Sequence, residues 1–174
     1  MPVLVSFSGL PGVGKTTIAK ALCQQTSAIY IRVDVIESAL RESVLKIDPC
    51  EDAGYLAACG VARSNLLLGR SVIADTVNPV EASRQLWQDT ADTANATLFN
   101  IEVVCSDTEM HRNRVETREA DIEGHPLPDW HRVETRQYEP WTTVDLKIDT
   151  AVSSVAHAVE TILNTLKAHH LDFA

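Results

Sequence analysis

The stretch GLPGVGKTT, residues 9–17, decides the fold class of this 174-residue chain. It matches the phosphate-loop pattern G-x-x-x-x-G-K-[ST]. An apolar, β-rich run precedes it at residues 3–8, and a segment with helical spacing of its apolar residues follows at 15–25. A strand, a glycine loop and a helix in this order form the context in which the pattern indicates a site for nucleotide phosphates.

Each part of this phosphate loop has a chemical reason. Glycines let the backbone approach an anion closely, and the start of the next helix adds the positive end of its dipole. Lys15 brings an ammonium group to the β- and γ-phosphates, and the Thr16 hydroxyl is a hard oxygen ligand for Mg²⁺. The sequence therefore predicts that ATP and Mg²⁺ are bound by Gly9, Gly12, Val13, Gly14, Lys15, Thr16 and Thr17.

Strand and helix patterns alternate along the rest of the chain. Further strands are predicted at residues 29–33, 71–74, 98–105 and 144–148. Further helices are predicted at residues 35–45, 53–68, 79–94, 108–118, 130–138 and 152–169. Asp107 is expected to cap the helix at 108–118, and Pro79 to lie in the first turn of its helix. The pattern predicts an α/β fold with a mainly parallel five-stranded sheet, helices on both faces and ligands at the carboxyl ends of the strands.

Two aspartates follow predicted strands. Asp75 ends the apolar run SVIAD, where a carboxylate can reach Mg²⁺ directly or through water. The alternative for Asp75 is a loop residue that caps a turn. Asp34 ends IYIRVD, and a carboxylate there can orient an acceptor hydroxyl and take its proton. From the spacing alone, this role for Asp34 and a role as the cap of the next helix are equally open.

Charge and hydropathy narrow the class of partner. The chain has 24 acidic and 15 basic residues, a net charge of −9, which opposes a broad nucleic-acid surface. Five of its arginines fall within residues 112–136, which favours a site for one small anion such as a nucleotide. The sequence has no apolar run of the roughly 18 residues that a membrane span needs, and its start lacks the features of a signal peptide. A cytoplasmic protein is therefore expected.

The phosphate loop, the RVD segment, the strand that ends in Asp75 and the arginine-bearing segment after it resemble a known grouping. They are similar to the small P-loop kinases of the zeta-toxin, chloramphenicol phosphotransferase and polynucleotide-kinase-like grouping, which has AAA-type ATP-binding domains, over roughly residues 2–150. The resemblance implies a three-layer P-loop NTPase fold with sheet order 2-3-1-4-5. It also implies a single domain, residues 1–174, with a lid at about 112–138, and the acceptor-activating role for Asp34.

The resemblance further implies that arginines of HRNRVETR, residues 111–118, bind the nucleotide. Arg114 would lie against the adenine, and Arg118 would stabilise charge on the transferring phosphoryl group. Thr150, after the fifth strand, would lie in a loop that touches the adenine through its backbone. The alternative, expected for Arg112, is ion pairing with nearby glutamates on a solvated helix face.

One departure from the grouping concerns the acceptor. Polynucleotide-kinase-like enzymes hold an acceptor phosphate with an arginine soon after the aspartate, and this chain has Glu37 three residues after Asp34, with Arg41 one turn further. The departure and the acidic net charge argue against a nucleic-acid acceptor. The acceptor pocket is expected among residues 34–70 and after Asp75, with the candidates Arg41, Tyr55, Asn78, Arg84 and Trp130. For Trp130, packing in the core or at a hinge is the alternative.

The leading prediction is an ATP- and Mg²⁺-dependent kinase that moves the γ-phosphate to a hydroxyl of a small molecule. Its catalytic residues would be Lys15, Asp34 and Arg118, and Thr16 and Asp75 would hold the metal. The alternatives are a nucleotide or polynucleotide 5′-kinase, an ATPase switch that acts on a partner protein, and a nucleotide-binding module without chemistry. The acceptor, the oligomeric state and the choice between ATP and GTP stay open.

Overall fold

A parallel sheet forms the centre of the protein. The structure is a computed structural model that describes residues 1–171, so the last three residues of the predicted domain, 172–174, lie outside the described residues. The sheet contains β1 (Val3–Ser8), β2 (Ile29–Arg32), β3 (Val72–Asp75), β4 (Thr97–Val104) and β5 (Leu146–Asp149). All neighbouring strands are parallel, and their order is β2-β3-β1-β4-β5. The order implied by the family resemblance is confirmed.

Helices cover both faces of this sheet. They are α1 (Lys15–Gln24), α2 (Val33–Glu42), α3 (Ala53–Leu67), α4 (Glu81–Thr93), α5 (Thr108–Thr117), α6 (Trp130–Glu134) and α7 (Val155–Ala168). Ile18 of α1 and Ile162 of α7 pack on one face, and Leu66 of α3 and Trp87 of α4 pack on the other. Every residue of the central strand β1 is buried, because helices shield it from both sides.

Among the element boundaries that differ from the sequence prediction, two bear on predictions for single residues. Helix α2 begins at Val33, so Asp34 lies in the first turn of a helix rather than at the end of a strand. The residue that caps α2 is Arg32, so the alternative role of Asp34 as a helix cap is also wrong. The reason is the register, because the last residue of β2, Arg32, pairs with the last residue of β3, Asp75, and the chain then leaves the sheet.

The second difference lies at the start of α4. The helix begins at Glu81, so Pro79 precedes it instead of occupying its first turn. The Pro79 carbonyl accepts a hydrogen bond from the amide of Glu139 at 2.8 Å, so the segment is used to dock the stretch before β5. The cap of α5 is as expected, since Asp107 accepts a hydrogen bond from the Met110 amide at 2.9 Å.

The described helices also bear on the expected absence of a membrane span. None of those within residues 1–171 combines the length and the apolar character that crossing a bilayer requires.

Candidate active site

The phosphate loop connects β1 to α1 and is shaped by glycines. Gly9 and Gly12 have φ values of 134° and 85°, which side chains other than glycine rarely adopt. A Cβ at Gly9 would overlap the carbonyl of Val103, and one at Gly12 would lie 2.5 Å from the side chain of Val115. The back of the loop therefore packs directly on β4 and α5, and its other side faces a cleft.

Residues of the loop divide between these two sides. Gly12, Gly14, Lys15, Thr16 and Thr17 line the cleft. Val13 is buried, and together with Gly9 it lies on the opposite side of the loop. Any contact that these two residues make with a ligand would therefore come from the backbone.

Lys15 is buried at the floor of the cleft, with 7% of its surface exposed. Its Nζ donates a hydrogen bond to the Leu10 carbonyl at 3.0 Å. Burial lowers the pKa of Lys15 from 10.5 to about 8, and the charges of Asp75 and Asp34 offset part of this shift. A phosphate would supply a charged partner for this ammonium group, whose hydrogen bond is to a neutral carbonyl.

Asp75 is a carboxylate with 3% of its surface exposed, at the end of β3. Its Oδ2 accepts a hydrogen bond from the Tyr30 hydroxyl at 2.7 Å and lies 3.8 Å from Nε of Arg32. Burial and the charge of Asp75 raise the pKa of Tyr30 well above its usual range, so the phenol stays a donor. The carboxylate is thereby oriented at the cleft, which Thr16 also lines.

A metal ion at this place would depend on few protein ligands. Within the described part of the chain, no group of three or more His, Cys, Asp or Glu side chains could hold a metal by itself. Thr16 and Asp75 instead provide one hydroxyl and one carboxylate in the same cleft. Such a sparse oxygen set suits Mg²⁺, which usually takes one or two protein ligands together with phosphate oxygens and water.

Arg32 joins several acidic side chains at the same edge of the sheet. Its side chain is 10% exposed, and its Nε and Nη2 donate to Oδ2 of Asp34 at 3.3 and 3.2 Å. Its Nη1 donates to Oδ2 of Asp121 at 2.7 Å, and Lys20 donates to the same oxygen at 2.8 Å. Sequence reasoning missed this residue, although a charged side chain at the end of a short apolar strand was a signal.

Asp34 and its neighbours on α2 form the other half of the cleft. The Asp34 side chain is 34% exposed and lines the cleft. Glu37, one turn further along α2, accepts a hydrogen bond from Nη2 of Arg41 at 3.3 Å, and burial followed by the charge of Asp34 raises its pKa. Nη1 of Arg41 is buried and has no hydrogen-bond partner among the described residues. This half of the cleft therefore offers both acidic and basic groups to a polar ligand.

The candidates for the acceptor pocket separate into two groups. Arg41 and Tyr55 line the cleft, whereas Asn78, Arg84 and Trp130 do not, so these three predictions are wrong. Asn78 is fully buried, and its side-chain amide donates to the hydroxyls of Ser6 and Ser8. It holds the end of β3 to β1 and is a structural residue.

Arg84 and Trp130 also have structural contacts. The Arg84 guanidinium donates to the carbonyls of Asn78 and Glu139 at 3.2 and 2.6 Å and lies 4.5 Å from the Trp141 ring. Trp130 packs edge-on against the His111 ring, with the two ring centres 5.2 Å apart. The contacts of Arg84 with Glu139 and Trp141, and of Trp130 with His111, join residues that are remote in sequence, which is why composition could not exclude either residue. Arg136, which was not a candidate, lines the cleft.

The arginines of α5 have different environments. Arg114 donates to the hydroxyl and the carbonyl of Thr150 at 2.8 and 3.2 Å, and the Thr150 hydroxyl lies 2.8 Å from the Val13 carbonyl. The structure thus joins Arg114, Thr150 and the phosphate loop. Arg112 instead pairs with Glu116 on the surface at 2.8 Å, which confirms its expected ion pair.

Arg118 follows the last residue of α5 and lines the cleft. Burial lowers its pKa, and its Nε is buried without a hydrogen-bond partner among the described residues. A buried donor without a partner costs about 1–3 kcal/mol or more when charged, so an anionic ligand here would be favoured.

The cleft between the phosphate loop, α2 and the segment after α5 has a volume of about 1190 Å³. Cavities that hold one drug-sized ligand span roughly 300–1,000 Å³. The cleft therefore has room for a nucleotide and a second, smaller molecule beside it.

Comparison with known proteins agrees with this geometry. A family model described as an AAA domain matches residues 4–137. A protein from Chloroflexus aurantiacus j-10-fl with a kinase assignment has 20% identity and a TM-score of 0.75, and the alignment covers 96% of this chain and 97% of that one. No curated protein matches the sequence.

Two further solved structures are similar over nearly their whole length. The APS kinase CysC of Mycobacterium tuberculosis, in complex with AMPPNP and APS, has 18% identity and a TM-score of 0.67, with 95% of this chain and 98% of that chain covered. A gluconokinase from Sinorhizobium meliloti 1021 has 16% identity and a TM-score of 0.66, with 97% and 93% covered. At these identities the likeness shows that the chain has the fold of P-loop kinases.

Proposed function

The chain belongs to the AAA domain family, and from this premise we propose that it is an ATP- and Mg²⁺-dependent phosphotransferase that acts on a hydroxyl of a small molecule. The observation that carries the proposal is that Lys15, Thr16, Asp34, Asp75 and Arg118 all line one cleft. Phosphoryl transfer needs little covalent chemistry from the protein and depends on positioned charges, which this set provides.

The nucleotide is assigned to the side of the phosphate loop. Backbone amides of the loop and the Lys15 ammonium would bind the β- and γ-phosphates. The Arg118 guanidinium, whose Nε has no hydrogen-bond partner within residues 1–171, would stabilise the charge that develops on the transferring phosphoryl group. Arg114 and Thr150, joined at the end of the cleft near Val13, would border the adenine.

Magnesium is assigned to Thr16 and Asp75. Both residues line the cleft, and Oδ2 of Asp75 is already oriented by Tyr30. When bound, the ion supplies positive charge that neutralises phosphate oxygens. The protein's own part is to hold the carboxylate in place, and the Tyr30 hydroxyl does this as a permanent donor.

Asp34 is assigned the task of orienting the acceptor hydroxyl and accepting its proton. Its exposed side chain lies in the half of the cleft that also contains Glu37, Arg41 and Tyr55. The volume of the cleft supports two ligands at once, and the Mycobacterium tuberculosis relative has AMPPNP and APS bound in one complex. These points support a small polar acceptor for this chain.

The test is ADP release measured across a panel of hydroxylated compounds: sugars and sugar acids, nucleosides and nucleotides, and hydroxylated antibiotics. With the best acceptor, Asp34→Asn is expected to lower kcat by about 100-fold or more, the usual contribution of a general base. Binding of Mg–AMPPNP, followed by calorimetry, should be retained by this variant. Arg112→Met, which removes a surface ion pair, is the control. Full turnover by Asp34→Asn would refute the assignment.

A further inference from the structure

We propose that Arg32 is a positioning residue that couples closure of the lid loop, residues 119–129, to the orientation of Asp34. This inference rests on the proposed function, because it takes Asp34 as the group that activates the acceptor. It goes beyond that function by assigning Arg32 a role that acts through Asp34 and by linking the lid loop to the chemistry.

The guanidinium of Arg32 is hydrogen-bonded to the carboxylates of both Asp34 and Asp121. Nε and Nη2 of Arg32 donate to Oδ2 of Asp34, and Nη1 donates to Oδ2 of Asp121 in the lid loop. The guanidinium is planar and rigid, so its donors keep a fixed angle to one another. When Asp121 fixes one edge of the group, the orientation of the other edge is fixed as well. The position of Asp34 then depends on the lid contact.

The lid loop is docked along α2 at more than one place. Asp121 meets Arg32 at the start of the helix, and Nδ1 of His125 lies 3.1 Å from the Ser38 hydroxyl in its middle. Near the end of α2, a Cβ at Gly124 would lie only 2.8 Å from the Glu42 carboxylate, so the backbone of the lid loop is close to that side chain. The contact of Asp121 with Arg32 is therefore part of a continuous interface.

A second cation, Lys20 on the helix after the phosphate loop, also binds Asp121. Lys20 lies on α1, one turn beyond Thr16, and donates to the same oxygen of Asp121 as Arg32. Hydrogen bonds from these two groups keep the pKa of Asp121 well below its usual range, so its carboxylate is charged at neutral pH. The lid loop is thus tied to the helix that follows the phosphate loop and to the helix that carries Asp34.

The arrangement has a functional consequence. With the lid loop docked, Arg32 is held between Asp121 and Asp34, and the carboxylate of Asp34 has a defined orientation. With the lid loop undocked, Arg32 loses one of its partners and can turn, so Asp34 is no longer held at one angle. The acceptor would then be activated only after the cleft has closed, which limits transfer of phosphate to water.

A purely structural role makes a different prediction. Arg32 also lies 3.8 Å from the buried Asp75, so its charge alone could be what the fold requires. A lysine keeps the charge but lacks the planar fork. Arg32→Lys therefore separates the two roles, because only the positioning role needs two donor edges at a fixed angle.

The experiment uses the full chain with Arg32→Lys, Arg32→Met, Asp121→Asn and the control Arg112→Met. Steady-state kinetics give kcat and KM, and hydrogen–deuterium exchange of residues 119–129 reports docking of the lid loop in the free protein. We expect Arg32→Met to lower kcat by roughly 10- to 100-fold, the scale of a misplaced catalytic group, with little change in KM for ATP. Arg32→Lys should regain thermal stability but stay about tenfold low in kcat.

Asp121→Asn should speed exchange in the lid loop and lower kcat severalfold, and Arg112→Met should change neither. Full recovery of kcat by Arg32→Lys, or unchanged kcat and exchange in Asp121→Asn, would overturn the inference. If Asp34→Asn retains full turnover, the proposed role of Asp34 in activating the acceptor fails, and the role of Arg32 towards Asp34 fails with it. If Asp34→Asn is inactive while Arg32→Met is fully active, the proposed function stands and only this inference is lost.

Discussion

The two halves of the cleft are built in opposite ways. The phosphate-binding part of the nucleotide half is one continuous stretch, residues 9–17, whose backbone shape is set by glycines and whose charge comes from Lys15. The half that presents the carboxylates Asp34 and Asp75 is assembled from separate elements, because Arg32 pairs with Asp121, 89 positions away, and Tyr30 pairs with Asp75, 45 positions away. The comparison teaches that the first half tolerates little local change, whereas the second depends on side chains that the fold brings together.

The largest effect is expected from Lys15→Met in the nucleotide half. Loss of the buried ammonium group removes a charge that stabilises the phosphates, so kcat/KM should fall by about 100- to 1,000-fold. Calorimetry should show that Mg–AMPPNP binding weakens as well, unlike in Asp34→Asn or Arg32→Met. If Lys15→Met bound the nucleotide as tightly as the unchanged protein, the division of the cleft into two halves would be wrong.

A Cβ added to the phosphate loop should have the next largest effect. Gly9→Ala is expected to lower the free energy of unfolding by roughly 3 kcal/mol, since strain at φ 134° adds to the overlap with the Val103 carbonyl. Gly69→Ala is the matched control, because Gly69 has φ 79° with open space around it and should cost only about 1 kcal/mol. Urea unfolding measures both, and equal losses would contradict the close packing of the loop.

The pH dependence of nucleotide binding should follow Lys15. Its pKa of about 8 in the folded protein lies below 10.5, so its charged form costs folding free energy below pH 8, and this cost disappears as the pH rises towards 10.5. Binding has the opposite sign, because phosphate needs the ammonium form. Affinity for Mg–AMPPNP should fall about tenfold between pH 7 and 9.

Calorimetry near pH 8, in two buffers of different ionisation enthalpy, checks this prediction. Binding should take up protons, because a phosphate beside Lys15 raises the pKa of that amine. Lys147→Met is the control, since Lys147 pairs with Glu102 at 2.9 Å outside the large cleft. Proton release on binding would contradict the assignment of Lys15.

The smallest effect is expected from Tyr30→Phe, which removes the hydrogen bond that the Tyr30 hydroxyl of β2 donates to Asp75 of β3. Removing one donor from a buried carboxylate costs about 1 kcal/mol at the lower end of the usual range, so the Mg²⁺ concentration for half-maximal rate should rise by roughly fivefold. Tyr138→Phe is matched, because its hydroxyl bonds to Glu102 at 3.1 Å away from the large cleft. Equal Mg²⁺ dependence in the two variants would argue against a metal role for Asp75.

Helices and strands were predictable wherever a local pattern decides. The apolar run of β1, the glycine loop and the cap at Asp107 all occur where sequence reasoning expected them. The start of α2 was misjudged because IYIRVD is apolar enough to suggest a strand through Val33. The end of β2 is set by the residue at which its neighbour β3 ends, and the sequence of β2 does not contain that information.

The candidate site likewise contains residues that the sequence predicted and residues that only the fold could identify. Lys15, Thr16, Asp34, Asp75 and Arg118 were named in advance and line the cleft, although the role of each is still a prediction. Arg84 was a reasonable anion ligand by residue type, but the carbonyls of Asn78 and Glu139 occupy its guanidinium. Residue type alone does not distinguish Arg84, which is buried and bonded to backbone carbonyls, from Arg136, which lines the cleft.

A short motif was enough to establish that this chain has a phosphate loop within an α/β sheet, because its glycines, lysine and threonine act within nine adjacent residues. Folding alone decided that Arg32 lies between Asp34 and Asp121, that Thr150 supports the loop, and which arginines face the cleft. The physical reason is range. Backbone conformation responds to neighbouring residues, whereas a pair of side chains forms only when the packing of whole helices and strands brings them within hydrogen-bond distance.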